Sequence, residues 1–193
     1  MFIFSFLLHF VVSLAQGASP QVYYKNTVVE WTGYKYSEKA PVKGQLKILQ
    51  IKVDGQPQTL EQLLPLTRFE VDSLSVDSGN VARDQNLREY FFKLMKTPKI
   101  LGKILSYSKG EAQVELVLNG VVQKVPFKIT QNKQSLSASA EIDVLDFAMG
   151  PSLKKINEIC FDLHKGKDGV SKTWSHVSLL ITADVVFSQQ NTK

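Results

Sequence analysis

The sequence predicts an all-β protein: eight antiparallel strands closed into a barrel, with two short helices among them. Three observations carry this. Apolar and polar residues alternate with period two through most of the chain. Turn pairs containing glycine, Asp54-Gly55, Lys109-Gly110 and Asn119-Gly120, sit between the apolar runs. Two segments switch to the spacing of an amphipathic helix. A two-sheet sandwich is the competing architecture for the same pattern.

The first residues, "MFIFSFLLHFVVSLAQGASPQ", hold about thirteen mostly apolar positions that end in small side chains. They are expected to be a signal peptide, residues 1–17, cut after Ala15 or Gly17. The run is short for a transmembrane helix, which needs about 20 residues. No Lys or Arg precedes it. The barrel domain is expected over residues 22–188, followed by a flexible tail at 189–193, and the mature chain carries no integral membrane segment.

The strands follow in order. "QVYYKNTVVEWTG" is the first. In "QLKILQIKV" the pairing Leu46/Ile48 gives way to Leu49/Ile51/Val53, and in "RFEVDSLSV" Phe69/Val71 gives way to Leu74/Val76. A one-residue slip of phase is what a β-bulge produces, and bulges bend strands where a sheet curls. "KILGKILSY" is the fourth strand. "AQVELVLNGVVQKVPFKIT" is a hairpin turning at Asn119-Gly120, with Ala112, Val114, Leu116 and Leu118 on one inner face and Val125, Phe127 and Ile129 on the other. Leu136, Ala138, Ala140, Ile142 and Val144 share the inner face of the seventh strand. Val177, Leu179, Ile181, Ala183, Val185 and Phe187 share that of the eighth.

The first helix is expected over residues 81 to 95, with Asn80 as its N-cap, Leu87, Phe91 and Leu94/Met95 as its stripe, and Pro98 as its stop. The second begins at Pro151, runs its stripe through Leu153, Ile156, Ile159/Cys160 and Leu163, and ends at Gly166.

Charge and composition narrow the function. The net charge of +5 comes from 23 basic and 18 acidic residues mixed along the chain, with no run that reads as a nucleic-acid or membrane patch. Nucleic acid is excluded as a partner, and solvated surface explains the charge. A single cysteine, Cys160, excludes an internal disulfide, and no Cys/His cluster is spaced for a metal. His176 falls on the outward face of the last strand, His164 closes the second helix, and Cys160 lies on that helix's apolar stripe. None of them has a catalytic partner in view, so the enzyme case is weak. Acids, bases and amides crowd in one place only, "SLSVDSGNVARDQNLREYFF", where Asp84 and Arg88 form an i, i+4 pair beside Arg83 and Asn86.

At these residues the sequence resembles the YceI-like family, lipocalin-like periplasmic proteins that bind polyisoprenoids and other long-chain amphiphiles. Trp31-Thr32-Gly33-Tyr34-Lys35 matches the family's W-T-G-x-K element, and Asp77 to Arg88 with Phe91-Phe92 matches its central signature. Leu118 to Val125 matches a later hairpin, and Asp146-Phe147-Ala148-Met149 an Asp-Phe-Gly-Met element with Ala in place of Gly. The early His-x-x-Gly element is replaced by "APVKGQ", and the "HKGKDGVSK" loop looks longer than usual.

The resemblance implies a lipocalin-like barrel with one helix near its mouth, in the periplasm of a Gram-negative cell or secreted. It implies no enzymatic cofactor. The expected ligand is an amphiphilic small molecule: a polyisoprenoid, a quinone or a fatty-acid-like lipid. Residues expected to border its tail are Trp31, Leu87, Phe91, Phe92, Leu116, Phe127, Ile142, Phe147, Leu179 and Ile181. Arg83, Asp84 and Asn86 are expected either to fix the helix or to meet a polar headgroup. A homodimer is permitted. The alternatives are an enzyme acting on an isoprenoid-type lipid and a solid-core structural or adaptor barrel.

Overall fold

The computed structural model describes residues 22–187. The expected signal peptide, with its cut after Ala15 or Gly17, and the expected tail at 189–193 lie outside the described residues. The eight strands are β1 (Val22–Lys35), β2 (Ala40–Val53), β3 (Thr67–Asp77), β4 (Lys99–Ser108), β5 (Glu111–Leu118), β6 (Val121–Asn132), β7 (Ser135–Asp143) and β8 (His176–Phe187). Each pairs antiparallel with the next, and β8 returns to β1, so the barrel closes in sequence order. Closure removes the exposed edges that a sandwich would leave.

The alternating faces turn inward as the sequence predicts. Ala112, Val114, Leu116, Leu118, Val125, Phe127 and Ile129 are buried. Lys109-Gly110 and Asn119-Gly120 each form a tight two-residue turn, all four residues at positive φ, which is the handedness that matches strand twist. The phase slips in β2 and β3 coincide with a register shift between Leu46 and Ile48. Two further shifts, at Lys25/Val28 in β1 and Ile104/Ser106 in β4, leave no trace in the hydrophobic pattern: the first falls in the polar run Lys25-Asn26-Thr27, and at the second Ile104 and Leu105 put apolar residues on both faces.

The pairings do not run the full length of the strands. β1 and β2 are joined from Lys35↔Ala40 to Val29↔Leu46; beyond that, each keeps only its other neighbour. β6 and β7 are joined from Asn132↔Ser135 to Lys128↔Ser139. The next stretch of β6 contains Pro126, which has no N–H to donate to a ladder.

Among the described residues three α-helices cap the barrel: α1 (Leu60–Leu63), α2 (Val81–Tyr90) and α3 (Gly150–Ile159). The four-residue α1, capped by Thr59, carries no sequence signal long enough to read. Both longer helices stop sooner than their spacing predicts. α2 starts at its Asn80 cap but ends at Tyr90, not residue 95; Phe91 leaves the helical region and Phe92–Leu94 form a 3-10 turn. In a continuous helix adjacent side chains point about 100° apart, so the break lets both rings reach the core. They pack edge to face, centroids 5.2 Å apart at 85°.

α3 ends at Ile159 rather than at Gly166, which lies in a later turn whose amide donates to the Val170 carbonyl. His164 therefore sits in a short 3-10 turn beyond the helix. Ile159 and Leu163, expected on the buried stripe, are exposed, because the chain turns away after Cys160.

Two plugs close the barrel. Met95, Phe147 and Met149 are buried at the end carrying α2 and α3, and Leu60, Leu63 and Leu64 at the end carrying α1.

Candidate functional site

Between the two plugs lies an apolar cavity. About 150 Å³ of it is wide enough for a water molecule to move in, and its whole empty volume, clefts and solvent-open part included, is about 1070 Å³. Its lining runs from Tyr24 and Leu64 at the α1 end to Leu118 and Ile142 towards the α2 and α3 end, which makes it an elongated slot. All eight strands contribute aliphatic or aromatic side chains longer than alanine, and β7 and β8 add the small residues Ala138 and Ala183. Tyr24, Thr27, Leu49 and Ile51 line it from the stretch where β1 and β2 part.

Three hydroxyl-bearing residues, Tyr24, Thr27 and Thr67, interrupt the apolar lining. Thr67 Oγ1 donates to the Leu63 carbonyl at 3.0 Å, which leaves it to accept from the Tyr24 hydroxyl 2.8 Å away. The Tyr24 oxygen therefore keeps its acceptor lone pairs for another group. Burial pushes the Tyr24 phenol above its usual range, opposed by the bond to Thr67, so it stays a neutral hydroxyl.

The residues expected to hold a lipid tail divide into two sets. Leu116, Phe127, Ile142, Leu179 and Ile181 line the cavity together. Phe147 is fully buried in the plug, and Phe91 and Phe92 pack against the same core. Trp31 lies across Gly44, its cross-strand partner, so closely that a Cβ on Gly44 would strike the indole. Its Nε1, like Ser73 Oγ, is buried with no hydrogen-bond partner. Leu87 is half-buried on α2. None of these five is in the cavity lining.

The polar knot is a junction between β3 and α2. Asp84, the one buried residue of α2, accepts from the Ser78 amide at 2.9 Å and from its hydroxyl. Arg83 donates to Ser78 Oγ at 2.8 Å and to its carbonyl at 3.0 Å. Arg88 donates to the carbonyls of Leu74 and Val76 at 3.1 Å each. Asp77 accepts from the Gly79 amide, which holds its carboxyl below the usual range. Asn86 reaches the Cys160 sulfur at 3.6 Å and so joins α2 to α3. Burial raises the Cys160 thiol, leaving it an unreactive apolar group. His164 is depressed, mainly by burial and further by the Lys35 charge.

Tyr24, Thr27, Val29, Leu64, Thr67, Ile100 and Ile104 are cavity residues that sequence reasoning did not place. Tyr24 sits beyond the unseen bulge in β1, and Leu64 follows the unseen helix α1.

A family model, the YceI-like domain, matches residues 21–173, ending just before β8. No curated protein matches the chain. Among solved structures, the barrel is similar to BcnA of Burkholderia cenocepacia: 16% identity, TM-score 0.55, covering 83% of this chain and 96% of that one. It is similar to a polyisoprenoid binding domain from Saccharophagus degradans implicated in plant cell wall breakdown: 10% identity, TM-score 0.63, covering 88% and 99%. It is also similar to the YCEI protein of Campylobacter jejuni: 20% identity, TM-score 0.53, covering 80% and 90%. At these identities the likeness is one of fold.

Proposed function

The chain belongs to the YceI-like family, and from that premise we propose that it binds a long-chain isoprenoid, quinone-like or acyl lipid, without turning it over. The observation that carries the reading is the slot between the plugs, with its almost wholly apolar wall. Each methylene buried there contributes about 0.8 kcal/mol, so a flexible tail is held without a strong polar contact. The polyisoprenoid-binding domain of similar fold supports the same class of ligand.

The slot's apolar lining suits a flexible hydrocarbon tail, with a ligand's charged or strongly polar group left outside it. A ligand hydroxyl that reaches the Tyr24 end finds the free acceptor of that phenol.

With the expected signal peptide, this makes the protein a periplasmic or secreted carrier or scavenger. Mass spectrometry of an organic extract from the purified protein is the test. A stoichiometric long-chain lipid is the expected result. Absence of any such lipid, together with no binding of added amphiphiles, would falsify the reading in favour of a solid-core barrel.

A further inference from the structure

The exposed apolar side chains are not spread evenly over the molecule. Of the eleven large hydrophobics exposed among the described residues, eight lie at or beside the end that carries α2 and α3. Four fall within twelve residues: Ile159, 41% exposed; Phe161, 51%; Leu163, 64%; and Val170, 50%. Isolated exposed hydrophobics need no explanation, but a cluster marks a surface that meets something apolar.

The backbone makes this segment a compact knob. His164 accepts from the Lys172 amide through its carbonyl, Gly166 donates to Val170, and Lys165 bridges to Ser171. The β1–β2 hairpin is fastened alongside. The Tyr36 amide donates to the Lys172 carbonyl, Trp174 Nε1 donates to the Tyr36 carbonyl at 2.7 Å, and Lys35 reaches the Leu163 carbonyl at 3.3 Å.

The same bonds gather lysines that form no run in the sequence. Lys165, Lys167 and Lys172 lie in the knob and Lys35 and Lys39 in or beside the hairpin fastened to it, against three acids in the same two segments, Glu38, Asp162 and Asp168. Asp168 is occupied by Ser37 and by the Val170 amide. Lys172 and Lys39 stand 3.6 and 4.4 Å from the ring of Trp174, so one indole carries two ammonium groups at the rim. Exposed apolar side chains ringed by lysines beside a Trp are complementary to a lipid interface, with acyl chains for the knob and anionic headgroups for the rim.

We propose that residues 159–172, with the β1–β2 hairpin, dock the protein on the surface of an anionic lipid bilayer. The proposal rests on this surface alone and stands whether or not the cavity takes a lipid. Flotation with isoprenoid-free vesicles tests it, comparing phosphatidylcholine alone with phosphatidylcholine plus phosphatidylglycerol. The protein is expected to float with the anionic vesicles and to release them at high salt.

The double substitution Phe161→Ser with Leu163→Ser lowers the partition coefficient at least about tenfold. Lys165→Gln and Lys167→Gln lower it about fivefold each. All four side chains are exposed, so melting temperatures stay at the parent value. Failure of the parent protein to float, or flotation that the substitutions leave unchanged, overturns the proposal. So does a dimer in sedimentation that the Phe161/Leu163 variant splits, since the knob then belongs to a second copy.

Discussion

The side-chain amide of Asn119 donates to the carbonyl oxygen of Phe147 at 3.0 Å, tying the β5–β6 turn to the segment that plugs the barrel. The same side chain accepts from the Lys96 amide at 2.8 Å, and its backbone sits at φ +54°, which Asn tolerates and Ala does not. Asn119→Ala is expected to cost about 3 kcal/mol, from the left-handed backbone and two buried hydrogen bonds. Asn119→Gly keeps the backbone and loses only the bonds, about 2 kcal/mol. Urea unfolding measures both; if neither variant shifts the midpoint, the staple has no energetic role.

Ala148 occupies the left-handed region at φ 55°, ψ 31°, where the family element carries glycine. Its Cβ strains that backbone by about 1–2 kcal/mol, and the added chain entropy of glycine offsets part of the relief. Ala148→Gly is expected to stabilise the protein by about 0.5–1 kcal/mol. An unchanged or lower melting temperature would show that the turn bears no strain.

The strands were legible because one face of each is buried, so period two survives in Leu116, Phe127 or Ile181. The slip at Leu46/Ile48 was legible for the same reason. The bulge near Asn26 was not, since it falls in the polar run Lys25-Asn26-Thr27, which has no apolar alternation to slip. The polar knot was recognised as a unit, but its direction was not. Arg83 and Asp84 spend their hydrogen bonds on Ser78 across a turn, and spacing alone does not distinguish that from contact with a headgroup. Leu163 shows the remaining limit: helical periodicity holds only while the backbone stays helical, and α3 ends at Ile159, so Leu163 falls in a 3-10 turn and is exposed.

Ala138 is one of two alanines in the cavity wall, with Ala183. Ala138→Phe fills the slot with a ring from within. Overpacking costs about 1–3 kcal/mol where no void exists; here there is space, so stability is expected to hold within about 1 kcal/mol. Lipid recovered per protein falls at least tenfold. Full lipid content in a folded Ala138→Phe protein would move the binding site out of the barrel.

His164 gives the molecule an acid-side weakness. Burial, then the Lys35 charge, sets its folded pKa below the ordinary 6.5. The unfolded chain therefore takes up the proton first, and stability is lost as pH falls through 6.5 towards the lower folded value. Asp77 and Asp168 are lowered too, from 3.8, so their contribution is present above that value and fades only in a separate, more acidic window. His164→Gln is expected to flatten the dependence around pH 6.5 while leaving the acidic limb intact. Parallel slopes in the parent and the variant would assign the effect to another group.

The final test separates the two roles open to the polar knot. If Arg83 and Asp84 fasten α2 to β3, removing them lowers stability and leaves lipid content alone. Asp84→Ala strips the acceptor from a Ser78 amide and hydroxyl and is expected to cost about 2–3 kcal/mol. Asp84→Asn keeps an oxygen for both donors and costs less. Arg83→Ala loses two half-exposed bonds, about 1 kcal/mol. In each variant the lipid extracted per folded protein is expected to match the parent, because neither residue lines the cavity. Loss of lipid from Arg83→Ala at undiminished stability would reverse the assignment and make the guanidinium a headgroup ligand.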